Sequence, residues 1–325
     1  MMRSLARVTA LFAAFCCAFV VQASPARAAF PERPIRLIVS FPAGGLGDAV
    51  GRILAEGLTT RTGTTFVVEN QGGAAGTIGA AMAARATPDG YTMLVSALSV
   101  FAIVPNMRKV DFDPLKDLKP IARLGESLRA FAIHPKLPVK TLAEFIAYAK
   151  QNPGKLNYGS AGAGSAVHIL TESFRRTAGI EMTHVPYRGA APALQGLLAG
   201  DIELMIDTVV IPQIQGGTLR GLAAVGEKRL AELPDLPTLA EAGFPTVRTS
   251  GWQGLFGPAN LPQDVTDYYA GHVAALFQDE TFRKRLLTAG TIPAYLAPAE
   301  FTTYVRDDNT YFAKLIAEAG IKLVD

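Results

Sequence analysis

Short apolar runs, each followed by glycine and then by a helical period, recur along this chain. The first such unit is residues 37–48, Leu-Ile-Val-Ser-Phe-Pro-Ala-Gly-Gly-Leu-Gly-Asp. Ile35, Leu37, Ile38 and Val39 are too short a run for a helix and read as a strand. Pro42-Ala43-Gly44-Gly45-Leu46-Gly47 suits neither strand nor helix. From Asp48 onward Val50, Ile53, Leu54 and Leu58 share one helical face. Asp48 reads as the N-cap, because its carboxylate can accept a bond from an early helix N–H. A second strand is expected over residues 65–70, before Gln71-Gly72-Gly73-Ala74-Ala75-Gly76 and a small-residue helix over 78–85. A third strand, 91–95, follows the turn Pro88-Asp89-Gly90 and ends in polar Ser96 and Ser99. Strand, glycine loop and helix in alternation predict a parallel α/β sheet.

The pattern is interrupted once. Two short apolar runs, 120–122 and 130–133, mark a crossing to a second domain. Thr141 and Glu144 form a capping box opening a helix over 142–151, which Asn152-Pro153-Gly154 stops. A strand at 156–158 leads into a third glycine loop, 159–165, and a helix carrying His168, Ile169, Leu170 and Phe174. Residues 183–189 read as a strand running into a loop, 190–198 as a helix, and 201–206 as a strand ending at Asp207. A strand over 219–225 and a short helix over 236–243 follow. Residues 252–257 read as the return crossing, and 263–277, 280–289 and 298–319 as helices. With crossings near 127–133 and 250–256, residues 29–128 and 252–325 form one domain and 129–251 the other.

Residues 1–28 have the build of a secretory leader: Arg3 and Arg7, an apolar core over 8–21, and Ala26-Arg27-Ala28 as an A-x-A cleavage site. A membrane anchor fits less well, since the apolar run is short and Ser, Pro and Arg follow it. Cys16 and Cys17 both fall inside this segment, and Phe15 and Cys16 stand where a lipoprotein site wants a small residue. The exported form therefore has no cysteine, hence no disulfide or thiolate. Three arginines and no acid leave with the leader, so the remainder carries 28 basic and 28 acidic residues. A formal charge of zero argues against nucleic acid, which needs a basic footprint. Without disulfides a chain of this length must rely on its cores, and two domains are the expectation.

A glycine loop running into a helix can hold a small anion, carboxylate as readily as phosphate, through unpaired N–H groups and the helix dipole. It can equally be a turn that binds nothing. The dinucleotide fingerprint G-x-G-x-x-G is broken at Val50 after Gly45-Leu46-Gly47 and at Val167 after Gly162-Ala163-Gly164. A hydrolase elbow, G-x-S-x-G, fails around Ser160, where Tyr158 replaces the first glycine, and around Ser165, where Ala163 does. His168 reads either as a ligand neighbour or as a packed histidine. His134, His168, His184 and His272 lack metal-ligand spacing, so no metal and no cofactor is expected. Asp207 faces a cleft or caps the next segment, Trp252 and Phe256 belong to hinge or core, and Arg188 sits at a rim.

Several phrases, in order, carry a resemblance: Phe30-Pro31-Glu32-Arg33-Pro34-Ile35 before Phe41-Pro42-Ala43-Gly44-Gly45; Val68-Glu69-Asn70 before glycines; Pro88-Asp89-Gly90-Tyr91; Asn152-Pro153-Gly154-Lys155-Leu156-Asn157-Tyr158-Gly159-Ser160; His184-Val185-Pro186-Tyr187-Arg188-Gly189; Pro234-Asp235-Leu236-Pro237-Thr238; and Glu241-Ala242-Gly243. Together they resemble the Bug family, the periplasmic receptors of tripartite tricarboxylate transporters, over essentially the whole chain after the leader. The resemblance implies an α/β, two-lobed type II periplasmic binding protein fold with a cleft between the lobes. It implies a non-enzymatic receptor that closes by hinge motion on a small carboxylate, held by backbone amides, hydroxyls and water rather than by a dedicated arginine. It maps one jaw to Phe41, Ala43, Gly44, Gly45 and Asp48, and the other to Ser160, Ala161, Gly162, Ser165 and His168. Ser96, Tyr187, Gly189 and Asp207 complete the expected site. Leu46 and Val167 stand where the family often has small or hydroxyl residues, which makes the jaws more apolar, and Ser40 replaces a frequent proline.

The partner implied is a transporter membrane component or the outer domain of a sensor, with the chain a periplasmic monomer. Dicarboxylate, tricarboxylate, amino acid and aromatic carboxylate all remain open as ligand. The rival from another class is a periplasmic hydrolase or lyase on the same scaffold, and no catalytic constellation is visible for it. Neither gripping loop holds a lysine or arginine, so the backbone N–H groups around Gly44, Gly45 and residues 160–165 are expected to grip the anion. Amino-terminal sequencing of the exported protein should begin at Ala29; a chain retaining Cys16 would overturn the cleavage reading.

Overall fold

The structure, a computed structural model, describes residues 30–226, 229–245 and 251–319. The expected leader, its cleavage point, both cysteines and Ser250 lie outside the described residues. The fold below is that of the described residues from Arg33 onward.

In chain order its elements are β1 (Ile35–Val39), α1 (Leu46–Thr62), β2 (Phe66–Asn70), α2 (Thr77–Ala84), β3 (Thr92–Ala97), β4 (Leu118–Ser127), β5 (Arg129–Ile133), α3 (Leu142–Gln151), β6 (Leu156–Ser160), α4 (Ala166–Ala178), β7 (Met182–Pro186), α5 (Ala190–Ala199), β8 (Leu204–Asp207), α6 (Ile211–Gln215), β9 (Arg220–Val225), β10 (Trp252–Pro258), α7 (Gln263–Leu276), α8 (Glu280–Thr288), β11 (Thr291–Leu296) and α9 (Pro298–Ala319). The strands form two sheets, a six-stranded one in the order β11-β4-β10-β3-β1-β2 and a five-stranded one in the order β7-β6-β8-β5-β9. Leu128 alone joins β4 of the first to β5 of the second.

Parallel pairing places the loops. Val39 is level with Asn70 of β2 and Val95 of β3, so the loops after these three strands leave the sheet at one edge. In the other sheet Ser160 is level with Pro186, and Gly159 with Met205, so the loops after β6, β7 and β8 also share an edge. The antiparallel strands bring their opposite ends there. Gln253, near the start of β10, faces Ala97, and Ala130, near the start of β5, faces Asp207. Both sheets thus turn to one region the strand ends from which α/β sheets bind ligands.

Each sheet has its own core. Phe131 packs edge-on between Phe145 at 5.4 Å and Phe174 at 5.0 Å. In the six-stranded lobe Phe101 stacks on Phe256 at 4.1 Å, Trp252 donates from Nε1 to Asp308 Oδ2 at 2.7 Å, and α9 adds Phe301, Val305, Phe312 and Ile316. Trp252 and Phe256 are therefore core residues. Half of the expected capping box is present: Thr141 Oγ1 accepts from the Glu144 N–H, but Glu144 Oε2 accepts from the Lys140 N–H, one residue before the cap, rather than from the Thr141 N–H.

Two local expectations are corrected, and one strand lies where the sequence pattern showed none. The first helix begins at Leu46 with Gly45 as N-cap; Asp48 is its third residue, and its carboxylate reaches back to the Gly44 N–H at 3.0 Å. Residues 236–243 form turns rather than a helix. β11 carries no strand period, because Pro293 interrupts it, and it pairs only at the sheet edge, where a missing N–H is tolerated. No described helix is long and apolar enough to cross a membrane.

Phe131→Ala should cost about 3–5 kcal/mol, the range for emptying a buried aromatic site. Urea unfolding would measure it; a loss below about 1 kcal/mol would contradict this packing.

Candidate functional site

A cavity of about 120 Å³ lies where the two sheet edges meet. The six-stranded lobe contributes Phe41, Pro42 and Ala43, the first turn of α1 (Gly45, Leu46, Gly47), and Ala97 and Ser99. The five-stranded lobe contributes Ala161, the start of α4 (Ser165, Ala166, Val167) and the start of α5 (Gly189, Ala190, Ala191). Ser127, Arg129, Asp207, Thr208 and Gln253 form a polar floor beside the crossings. A second cavity, of about 720 Å³, shares Phe41, Pro42, Ala43 and Ala161 and widens toward Gly162, Tyr187, Arg108 and Arg188.

Of the residues expected from the sequence, Phe41, Ala43, Gly45, Ala161, Ser165, Gly189 and Asp207 line the smaller cavity, and Gly162 and Tyr187 line the wider one. Leu46 and Val167 also reach the wall, where they make it apolar. Gly44 lines a different cavity, one that runs along α6.

Asp48, Ser96, Ser160 and His168 are not in the wall; they stand one layer behind it and fix the loops. Asp48 accepts from the Gly44 N–H, from Arg52 Nε at 2.9 Å and from Asn70 Nδ2 at 3.0 Å. Against burial, these bonds hold its carboxyl below the usual range. Ser96 Oγ is bonded to Ser40 Oγ at 2.9 Å, and both are fully buried. Ser160 Oγ lies 2.7 Å from His184 Nε2 and donates to the Gly162 carbonyl. His168 Nδ1 accepts from the Gly164 N–H at 3.1 Å. Its ring stacks on His184 at 4.0 Å, and His184 stacks on Tyr158 at 4.9 Å. Tyr158 in turn donates to Glu172, which pairs with Arg175. The Ser160–His184 contact resembles a nucleophile and its base, but Ser160 has no exposed surface and does not reach the wall.

The amide inventory differs from the sequence expectation. The N–H groups of Gly44, Gly162, Gly164 and Ser165 bond to side chains or carbonyls of their own segments, so these amides are already engaged. The helix starts are different. α1 and α5 have glycine N-caps and no side-chain cap, which leaves the N–H groups of Leu46 and Gly47 and of Ala190 and Ala191 without intrahelical partners. Ser165 caps α4 at the His168 N–H, leaving those of Ala166 and Val167. Three helix starts therefore present first-turn amides in the wall of one cavity.

Arg129 and Gln253 were not singled out in the sequence. A signal existed for each: a charged residue opening the buried strand Arg-Ala-Phe-Ala-Ile, and an amide inside the apolar run Trp-Gln-Gly-Leu-Phe. The Arg129 guanidinium lies against Gly251, where a Cβ would come within 2.0 Å of Nη2. Burial pulls its pKa down, while Asp207 and Glu126 pull it back; it stays a cation. Burial raises the Asp207 carboxyl, with Arg129 opposing, and Asp207 Oδ1 accepts from the Thr208 and Val209 N–H groups. Among the described residues no group of three or more His, Cys, Asp and Glu could hold a metal ion.

A family model described as the tripartite tricarboxylate transporter family receptor matches residues 50–321. Protein BugT of Bordetella pertussis is 31% identical over 98% of this chain and 99% of its own. Among solved structures, Rpa4515 of R. palustris with adipate is 32% identical, with a TM-score of 0.87 over 91% of this chain and 100% of that one. MatC of Rhodopseudomonas palustris with bound malate is 29% identical, with a TM-score of 0.81 over 88% and 100%.

The histidine stack has a measurable consequence. Burial and the neighbouring His168 pull the His184 pKa down to about 4, while an unfolded histidine titrates near 6.5. Between those values the unfolded chain binds more protons, so folding stability falls as pH is lowered from about 6.5 toward 4. The thermal midpoint should drop between pH 6.5 and 5, a window that most carboxylates do not reach, and His184→Gln should flatten that drop. An unchanged slope in the variant would show that His184 is not held neutral.

Proposed function

The chain belongs to the tripartite tricarboxylate transporter receptor family, and from that premise we propose that it is a non-enzymatic periplasmic receptor that captures a small carboxylate. The observation that carries this reading is the convergence of three helix starts, two of them capped only by glycine, on one cavity. Each start carries roughly half a positive charge and first-turn N–H groups without intrahelical partners, an arrangement suited to an anion. Adipate and malate, bound in two similar structures, are small carboxylates. The fully buried Ser160 supports a receptor over a hydrolase on this scaffold.

The mechanism is capture followed by hinge closure. Lobe 1 is residues 29–128 with 252–325, lobe 2 is 129–251, and the hinge runs through Leu128 and the return strand. There the Ser127 N–H donates to the Gly251 carbonyl at 2.7 Å and the Leu128 N–H to the Gly290 carbonyl at 2.8 Å. Ligand touching the starts of α1 on one lobe and of α4 and α5 on the other stabilises the closed form, which a transporter component or a sensor domain then reads. The receptor acts as a monomer, and the ligand sites are Phe41, Ala43, Gly45, Ala161, Ser165, Gly189 and Asp207, with Gly162 and Tyr187 at the mouth.

Gly45→Asp tests the grip. Gly45 has φ −99° and ψ 176°, and a Cβ there meets nothing closer than the Pro42 carbonyl at 3.9 Å. An aspartate should fit and cap α1 with its own carboxylate, competing with ligand for the same amides. Ligand released from the purified protein, identified by mass spectrometry, should be a small carboxylate. In calorimetry Gly45→Asp should lose about a hundredfold or more in affinity for it with the thermal midpoint of the unliganded protein undiminished. Equal affinity in the variant would refute the amide grip.

A further inference from the structure

Leu128 carries the first crossing between the two sheets, and its two peptide units are held by different lobes. The unit before it ends in the Leu128 N–H, which donates to the Gly290 carbonyl at 2.8 Å, in the turn between α8 and β11 of lobe 1. The Ser127 N–H just upstream is tied to Gly251, next to β10 of the same lobe. The unit after it begins with the Leu128 carbonyl, which accepts from Thr208 Oγ1, just past β8 of lobe 2. From there Arg129 and Ala130 are already paired in the lobe 2 sheet, opposite Val225 and Asp207.

Peptide units are rigid planes, and the only soft torsions between two successive units are φ and ψ of the residue they share. With one plane fixed to each lobe, those torsions belong to Leu128. The surroundings agree. Thr208 and Gly290, the two anchors, lie against each other: a Cβ on Gly290 would come within 2.0 Å of Thr208 Cγ2. A contact this tight survives rotation of one lobe against the other only near the axis, where displacements are smallest. Leu128 itself lines a cavity of about 570 Å³ whose walls come from both lobes, Leu287 and Ala289 from one and Val209 and Ile211 from the other. Its side chain therefore has room to swing as the torsions change.

We infer that the hinge on this crossing is the single residue Leu128, and that Thr208 is its positioning residue, whose hydroxyl confines the lobe rotation to Leu128 φ and ψ. Hinges absorb domain motion in a few such torsions. Ser127 and Arg129, on either side of the pivot, line the ligand cavity, so a molecule held on that floor spans the axis and favours one setting of it. This rests on the two-lobe receptor reading above.

The chain from Ala29 onward has no cysteine, so nitroxide labels can be placed one by one. Lys150→Cys on α3 and Arg306→Cys on α9, both exposed, put one label on each lobe. Double electron–electron resonance then reads the interlobe distance distribution with no ligand added. Thr208→Val, the same shape without the hydroxyl, should broaden that distribution, and Thr208→Ser, which restores the hydroxyl, should return it to the parent's width. Leu128→Gly keeps both backbone anchors and frees the torsions between them, so it should broaden the distribution too, while Ala130→Gly, further along β5, should not. A Thr208→Val distribution as narrow as the parent's would overturn the role of Thr208. Leu128→Gly without broadening, or Ala130→Gly broadening as much, would overturn the single pivot, and this pair decides alone if Thr208→Val does not fold. Each of these results leaves the receptor reading intact, since that reading is decided by the released ligand and by Gly45→Asp.

Discussion

The first turn of an α-helix has N–H groups that its own backbone cannot satisfy, and the build of this protein follows from where it leaves them. α1 and α5 begin after Gly45 and Gly189, residues with no side chain to offer as a cap. Exposed to water such amides would be unremarkable. Here parallel strands of two sheets deliver them to one enclosure, beside a wall of Leu46, Val167 and alanines. In such surroundings an N–H group gains more from an anion than it would in water. The topology has the same consequence for the floor. The start of β5 and the start of β10 lie at the edges where β8 and β3 end, so Arg129 and Gln253 arrive next to Asp207 and Ser127.

Amides can be aimed only if their loops hold still, and glycine loops do not do so by themselves. The bracing comes from polar groups that never reach the cavity. Asp48 pins Gly44 and is itself held by Arg52 and Asn70. His168 pins Gly164, His184 and Ser160 are bonded to each other, and the rings stack back onto Tyr158. Gly162 has φ +132° and its amide donates to Ser160 Oγ. The wider cavity's loop shows the same economy: Ala74 and Ala75 take φ of 48° and 55°, values unusual for alanine, while Arg108 and Ser99 bond to their carbonyls. Asp48, Ser160, His168 and His184 therefore serve the site's shape, while Arg129, Asp207 and Gln253 line its floor.

That division explains what could be read from the sequence. Strand, glycine loop and helix are local patterns, and the residues that line the cavity through their backbone, such as Ala43, Gly45, Ala161 and Gly189, belong to those patterns. Asp48, Ser160 and His168 were legible as important but not as to role, because an N-cap, a ligand contact and a brace all ask for the same short polar side chain at a loop. Which amides are already used, as in Gly44, is decided by a carboxylate four residues on and by Asn70 on another strand. Arg129 and Gln253 depend wholly on antiparallel pairing across the crossings. β11 escaped because an edge strand with a proline has no strict period.

Splitting the amides between two lobes also sets the energetics of closure. Carrying a two-state equilibrium from about 1:99 to 99:1 takes a ligand that prefers the closed form by roughly 5.5 kcal/mol. Hydrogen bonds to a charged group contribute about 1.5–3 kcal/mol each, so roughly two to four bonds made only on closing are sufficient. A carboxylate seated first on Leu46 and Gly47 would find Ala166, Val167, Ala190 and Ala191 on the opposite lobe, a number that meets the requirement without any side-chain cation. Had all these amides lain on one lobe, the anion would bind the open and closed forms equally and drive nothing. Dividing the amides between two sheets is thus a condition for any closure that a ligand could drive.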